Sequence, residues 1–321
     1  MTSRPMESDG ADARPIPVLV GPTGVGKTAV GIELARRFGA EIISADSRQI
    51  YRYMDIGTAK PTAEEQAAAP HHLIDVVDPD VRFSAGEYGR LAREAIQEIA
   101  TREVPALVVG GAGLYIKALA GGMFDAPEIP PAVRQRLVDE YRSASTDALH
   151  GRLSAVDPAS AARIHANDRQ RIVRALEVHD ATGETLTSWF EKPVRSRSRG
   201  TRLVGLRRDR AALYGRIDAR VEKMIESGLE EEVRGLMVRG FGPGTHAMST
   251  FGYAEMLQCI EGELELKDAV SLIQQRSRQY AKRQLTWFRQ TGDIEWITVD
   301  EGEGPAETCE KIIRSFTDPL F

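Results

Sequence analysis

The chain has 321 residues, of which 42% are hydrophobic, 28% charged and 6% aromatic. That composition excludes a low-complexity polymer or a coiled coil and fits a globular protein of about two domains, or one core domain carrying a large insertion. The formal charge of −5 excludes a globally basic nucleic-acid binder, so any polyanion must be met by a local basic surface. Cys259 and Cys309 stand far apart without CxxC spacing. Neither a disulfide framework nor a cysteine-rich zinc site is expected, and a reducing cytoplasmic setting fits. No run of about 18 apolar residues is present to span a bilayer, so no membrane association is expected. Residues 1–15 carry Pro, Ser, Asp and Gly without the apolar run of a signal peptide and are expected to form a disordered tail.

In chain order, Ile16-Pro17-Val18-Leu19-Val20 reads as a buried strand that stops at Gly21. Apolar residues at Ala29, Ile32, Leu34, Ala35 and Phe38 then follow helical spacing. Glu41 to Ala45 and Leu73 to Val77 read as further strands. Ser84 and Glu87 have the spacing of a capping box that opens a helix running to about Arg102. Pro105 to Val109 reads as another buried strand, closed by Gly110-Gly111 and followed by a helix over Leu114 to Leu119. Strands alternating with helices predict an α/β fold, a P-loop parallel sheet flanked by helices.

Between Gly121 and Gly200 the pattern changes to amphipathic helices, Val133 to Tyr141, Ala148 to Val156 and Gln170 to Asp180, with no convincing strand. Proline and glycine bracket the segment, as expected of a domain inserted into another. Strand character resumes at Arg202 to Leu206, helices follow over Ala211 to Ser227, Glu230 to Arg239 and Ala269 to Gln290, then a strand over Ile294 to Val299 and a helix around Glu307 to Phe316. The expected organisation is a catalytic core of residues 16–122 and 201–321 interrupted by an all-helical subdomain of residues 123–200.

Gly21-Pro22-Thr23-Gly24-Val25-Gly26-Lys27-Thr28 fits G-x-x-x-x-G-K-[ST] between a strand and a helix, where that motif belongs. Its glycines let backbone N–H groups curve round an anion at a helix N-terminus, Lys27 adds a cation, and the Thr28 hydroxyl can ligate Mg²⁺. The motif predicts a phosphorylated ligand but not which one. A Walker-type NTPase needs a second strand ending in an acid; Val108-Val109 ends in Gly110-Gly111 without one, whereas Ile42 to Ala45 ends in Asp46. On the residues alone, Asp46 is either a metal partner or a base aimed at an acceptor.

Gly21 to Thr28, taken with Ile43-Ser-Ala-Asp-Ser-Arg-Gln-Ile-Tyr-Arg-Tyr-Met-Asp-Ile-Gly-Thr-Ala-Lys-Pro61, His71-His-Leu-Ile-Asp75, Val109-Gly-Gly-Ala-Gly-Leu-Tyr-Ile-Lys-Ala-Leu119 and Ala281-Lys-Arg-Gln-Leu-Thr-Trp-Phe-Arg289, resembles the bacterial tRNA dimethylallyltransferases, also called tRNA isopentenyltransferases. The likeness runs from about residue 16 to the C-terminal helix. It implies transfer of a dimethylallyl group from dimethylallyl diphosphate to N6 of the adenosine 3′-adjacent to the anticodon, with Mg²⁺ and tRNA as partners and a cytoplasmic monomer as the working form.

By position, the resemblance makes Gly21 to Thr28 the diphosphate cradle, Asp46 the residue that holds and deprotonates the acceptor amine, and Arg220 a cation that neutralises the leaving diphosphate. It places tRNA contacts at Asp46, Ser47, Arg48 and Gln49, at Gln170, Arg171, Ile172, Val173 and Arg174, and at Arg134 and Ala112. The family commonly carries threonine where this chain has Ala112, which leaves no side-chain hydroxyl there. Eukaryotic relatives append a zinc finger that two isolated cysteines do not supply.

Three further patterns stay open on the residues. Arg216, Arg220 and Lys223 recur at i, i+4 and i+7, which outside the resemblance at Arg220 reads as a solvated helix face. Arg276, Arg278, Lys282, Arg283 and Arg289 alternate with Tyr280, Trp287 and Phe288 and no acid between Ser271 and Gln290; RNA binding and helix packing explain this equally well. His71-His72 with Asp75 lacks a further ligand at metal spacing and reads as loop capping. The rival functions are a P-loop small-molecule kinase, which leaves the insertion unexplained, an adenine-nucleotide isopentenyltransferase, which has no use for Arg134, Gln170, Arg171 and Arg174, and a non-catalytic RNA-binding P-loop protein.

Overall fold

The computed structural model describes residues 15–121, 129–192 and 200–316. Residues 1–14 of the expected N-terminal tail and the Pro193 to Arg199 bracket lie outside them. The first half of the core runs β1 (Ile16–Val20), α1 (Lys27–Phe38), β2 (Glu41–Ala45), α2 (Ala63–Ala68), β3 (His71–His72), α3 (Ala85–Thr101), β4 (Ala106–Gly110) and α4 (Gly113–Leu119). The insertion is helical among its described residues: α5 (Pro131–Ser143), α6 (Thr146–Val156), α7 (Pro158–Arg163), α8 (Arg169–Thr182) and α9 (Leu186–Glu191). The core resumes with β5 (Thr201–Arg207), α10 (Arg210–Glu226), α11 (Leu229–Val238), α12 (Tyr253–Ile260), α13 (Leu266–Gln290), β6 (Ile294–Thr298) and α14 (Pro305–Arg314). The described residues up to Ala120 and from Gly200 onward form one compact unit, and those of the intervening segment form another.

All six strands pair in parallel, in the order β3-β2-β4-β1-β5-β6. A parallel sheet is covered on both faces, and alternate residues of one strand serve opposite layers. In β1, Val18 and Val20 pack with Ile43, Val108, Tyr88 and Phe288 on one face, while Leu19 packs with Leu34, Leu107, Val204 and Ile217 on the other. β1 lies between β4 and β5. The chain leaves it first toward β2 and β4 and later toward β5, and such a switch in direction opens a ligand crevice at the carboxyl ends of the strands.

The local signals behind these elements are visible. The Ser84 hydroxyl accepts the Glu87 N–H, and the Glu87 carboxylate accepts the Ser84 N–H, closing the capping box of α3. Gly39 takes the left-handed conformation that ends α1, whose last turn carries Arg36 and Arg37 against the negative end of the helix dipole. The insertion has its own core of Leu137, Leu149, Leu153, Ile172 and Leu176.

One expected strand is not formed. Leu73 to Val77 is irregular beyond the two-residue β3, because Leu73 and Asp75 have φ of +61° and +57°, incompatible with a β ladder. The Asp75 and Val76 N–H groups donate instead to the carbonyls of Gln49 and Ile50, so the segment is laced to the loop after β2. Helices α7, α9 and α12, of six, six and eight residues, are too short for periodicity to mark.

Candidate active site

The loops after β1, β2 and β4 and the end of β5 meet at the carboxyl edge of the sheet. In the first, the Lys27 ammonium folds back to donate to the carbonyl oxygens of Gly21 and Pro22, both at 2.9 Å. Gly24 has φ of +82°, and a Cβ there would lie 2.8 Å from Ile217 Cγ1, so the loop can rest on α10 only as glycine. Three arginines hold its rim: Arg216 Nε donates to the Gly24 carbonyl at 3.1 Å, Arg208 Nε to that of Val25 at 3.0 Å, and Arg220 Nη2 to Thr23 Oγ1 at 2.6 Å. Arg216 is exposed, as a solvated helix face implies, yet its Nε reaches the loop. Four residues put it one turn from Arg220 on the side of α10 that meets the loop, and Lys223 is likewise exposed.

The loop after β2 brings a carboxylate to the same place. Asp46 Oδ1 accepts the Arg48 N–H at 2.9 Å, a local turn that fixes the side chain. Burial lowers the Lys27 pKa to about 8, with Asp46 opposing the shift and Arg220 adding to it. Burial likewise lowers Arg220 to about 10, with Arg48 and Arg216 in the same sense and Asp46 against it. Several cations therefore converge on one carboxylate at the phosphate loop, an excess of positive charge that suits an anionic ligand. The buried Arg220 Nε finds no hydrogen-bond acceptor among the described residues.

Other expected site residues are distributed around this centre. Arg48 donates to the carbonyls of Gly57 and Phe251 at 2.7 and 2.8 Å, with its guanidinium 4.2 Å above the Phe251 ring. The Gln49 amide is held between Ser44 Oγ and the Ala59 carbonyl. Ala112 caps α4 and donates its N–H to the Ala45 carbonyl at 3.0 Å, one residue from Asp46. Tyr280 reaches Ser47 from α13, and burial, reinforced by Asp46, pushes its hydroxyl up to about 12. Thr28 is half-buried in the first turn of α1.

In the insertion, Asp168 caps α8 through the Arg171 N–H at 3.2 Å. Gln170 and Arg171 are exposed, Arg171 standing 3.3 Å from Asp168. Arg174 is 3.5 Å from Glu177; burial lowers its pKa, Glu177 opposing and the nearby Arg134 adding to the shift. Ile172 is fully buried, and Val173 packs against the same core. Those two side chains hold α8 in place, while Gln170 and Arg171 are exposed and Arg174 and Arg134 half-buried.

The remaining patterns resolve physically. His71 and His72 form β3, and His72 Nε2 pairs with Glu41 Oε2 at 2.6 Å. Asp75 pairs with the buried Lys60 at 2.6 Å. No group of three His, Cys, Asp or Glu among the described residues is arranged to hold a metal. On α13, Phe288 is in the core, Tyr280 packs at a tilt against Phe251 with ring centroids 5.3 Å apart, Arg276 pairs with the buried Glu255 and Arg278 with Asp218. Packing therefore accounts for the aromatic residues and for Arg276 and Arg278, whereas Lys282, Arg283 and Arg289 are exposed.

Two participants carry no sequence signal of their role. Arg208 lies just past β5, outside any motif. Gln284 lies in the C-terminal block Ala281 to Arg289; its Oε1 accepts the Thr23 N–H at 2.8 Å and its Nε2 donates to the Gly111 carbonyl at 3.0 Å.

Residues 49–291 match the profile of a family described as IPP transferase. The chain belongs to the IPP transferase family. Among its relatives in that family, the tRNA dimethylallyltransferase of Syntrophobacter fumaroxidans is 47% identical over 95% of this chain and 88% of its own length. A protein called tRNA dimethylallyltransferase 2 from Geotalea uraniireducens is 44% identical over 96% and 99%. The crystal structure of the full-length tRNA isopentenylpyrophosphate transferase of Bacillus halodurans superposes with a TM-score of 0.69 at 38% identity, covering 94% of this chain and 96% of the other. A eukaryotic dimethylallyltransferase described as acting on tRNA gives a TM-score of 0.77 at 26% identity, covering 94% and 78%. The parallel-sheet fold and the transferase reading of the IPP transferase family thus extend over nearly the whole of this chain.

Proposed function

We propose that this enzyme transfers a dimethylallyl group from dimethylallyl diphosphate to N6 of the adenosine 3′-adjacent to the anticodon of a cytosolic tRNA, releasing diphosphate. The observation that carries the reading is the Asp46 carboxylate set against a phosphate loop rimmed by Lys27 and Arg220, while β4 ends in Gly110 without an acid. A loop of this type elsewhere serves phosphoryl transfer; here its neighbour is a carboxylate suited to an amine.

In the reaction the adenine amine nitrogen attacks the allylic carbon, the C–O bond to the diphosphate breaks, and its electron pair leaves with the diphosphate oxygen. The exocyclic amine is a weak nucleophile because its lone pair is delocalised into the ring. Asp46 accepts its hydrogen bond and takes the proton, help of a kind worth about 10² to 10⁴ in rate. Backbone N–H groups of Gly24, Gly26, Lys27 and Thr28, with the Lys27 ammonium and Arg220, stabilise charge as it develops on the leaving group. The acceptor-free Arg220 Nε fits an anion as its partner. Mg²⁺ would be held by Thr28 and by oxygens of the substrate's own diphosphate, which suits a site without a carboxylate cluster among the described residues. Bound there, it supplies further neutralisation of the leaving group. Gln170, Arg171, Arg174 and Arg134 offer the insertion's polar surface to tRNA. No helix among the described residues is long and apolar enough to cross a membrane, and Cys259 and Cys309 are free thiols, which accords with work in the cytosol.

The test is acceptor choice. Labelled dimethylallyl diphosphate is incubated with the enzyme and tRNA, AMP or ATP. Label is expected in tRNA alone; label in AMP or ATP would instead support a nucleotide prenyltransferase.

A further inference from the structure

The C-terminal block around Gln284 and the glycine-rich turn after β4 have no assigned task in the reaction, yet they interlock. Gln284 is 6% exposed and stands between two loops, accepting from Thr23 N–H and donating to Gly111 C=O. A Cβ on Gly111 would lie 2.2 Å from Gln284 Nε2, and one on Gly113 would lie 2.1 Å from Trp287 Nε1. Gln284 and Trp287, three residues apart on α13, share a helix face, and that face meets bare backbone at Gly111 and Gly113.

Each end of the bridge leads to one half of the reaction. Thr23, held through its N–H by Gln284, receives Arg220 on its hydroxyl, which sets the cation at the leaving-group end. The residue after Gly111 donates its N–H to Ala45, next to Asp46 at the acceptor end. One partner is an N–H and the other a carbonyl, so only a side chain that both accepts and donates satisfies them; a carboxamide does so, while a carboxylate leaves the carbonyl unmet and an apolar chain leaves both.

We propose that Gln284 is a positioning residue that fixes the spacing between the diphosphate cradle and the acceptor base. The proposal rests on the prenyl-transfer reading above. Losing the bridge lets the two halves drift, and misplacement by about 1 Å costs about 10² in rate. Diphosphate affinity changes far less, by about fivefold, the typical worth of one neutral hydrogen bond.

The experiment compares wild type, Gln284→Met and Gln284→Glu for kcat with saturating tRNA and dimethylallyl diphosphate, and for Kd of inorganic diphosphate, with folding checked by circular dichroism. Gln284→Met is expected to lose about 10² in kcat with Kd nearly kept. Gln284→Glu should be equally poor at about pH 8 and regain rate relative to Gln284→Met by about fivefold on acidification to about pH 6, because a protonated carboxyl both accepts and donates. Lys27, Asp46, Arg220 and Tyr280 are common to both variants and cancel in that ratio. A flat ratio, a folded Gln284→Met within about twofold of wild type, or a loss confined to Kd overturns the proposal. If Gln284→Met does not fold, the ratio of Gln284→Glu to wild type serves, and a flat profile there overturns it equally. Absence of wild-type transfer to tRNA would sink the prenyl-transfer reading and this role with it; wild-type transfer with unaffected variants sinks this role alone.

Discussion

Lys27 holds its ammonium on the carbonyls of Gly21 and Pro22, hydrogen bonds that an incoming diphosphate must replace. Burial has lowered its pKa to about 8, so the free enzyme loses this charge as pH rises through that value. Diphosphate affinity is therefore expected to fall above about pH 8, and titration calorimetry should find the step missing in Lys27→Ala, which should also abolish transfer. For stability the sign is opposite. The unfolded chain keeps its lysine protonated up to the ordinary value of 10.5, so between about 8 and 10.5 raising the pH relieves the folded state of a buried charge. Asp46 makes the second prediction at this scale. Asp46→Asn keeps size and one acceptor oxygen but loses basicity, and single-turnover transfer should slow by about 10² or more. Binding of dimethylallyl diphosphate and Mg²⁺ should change little. A binding defect repaired by added Mg²⁺ would instead make Asp46 a metal partner.

At the scale of elements, α11 secures the segment that follows Asp46. Glu232 accepts the N–H groups of Asp55, Ile56 and Gly57 at 2.9, 2.7 and 3.1 Å and the Tyr253 hydroxyl at 2.6 Å. Gly57 in turn supplies the carbonyl that Arg48 holds. Hydrogen bonds to a charged group are worth about 1.5 to 3 kcal/mol; Glu232→Ala should lower the urea-unfolding free energy by about that much. In the insertion, replacing Arg171 and Arg174 by Ala should weaken tRNA binding. The slope of log affinity against log salt should fall by about 0.7 to 0.9 for each phosphate that is no longer neutralised, with dimethylallyl diphosphate binding intact. Equal weakening of both would show that α8 had been disrupted.

Elements were legible where a local signal was strong. The apolar runs of β1, β2 and β4, the capping box of α3 and the strand-loop-helix context of Gly21 to Thr28 each follow from neighbouring residues. Leu73 to Val77 is a short apolar run like the true strands, whereas left-handed backbone at Leu73 and Asp75 is fixed by hydrogen bonds with the loop after β2, distant in sequence. Site residues divide similarly. Lys27 and Thr28 open α1 behind the phosphate loop and Asp46 follows β2, where pattern points to them. Arg216 is exposed as its spacing implies, but periodicity gives the face of a helix and not the Gly24 carbonyl that meets it. Gln284 is 261 residues from Thr23, and no spacing rule spans that distance.

For the whole molecule, a sheet that changes direction at β1 brings the phosphate loop, Asp46 and Ala112 to one edge, and a separately packed helical unit supplies a polar surface rich in arginine. This arrangement makes chemical sense if a large anionic acceptor and a small diphosphate are used together. The most direct measurement is the product. Purified tRNA is treated with the enzyme and dimethylallyl diphosphate, digested to nucleosides and read by mass spectrometry, with released diphosphate measured in parallel. The account predicts N6-dimethylallyl adenosine, mapped to the position 3′ of the anticodon, in amounts equal to the diphosphate released. Unmodified adenosine at that position, or diphosphate released without modified nucleoside, would contradict it.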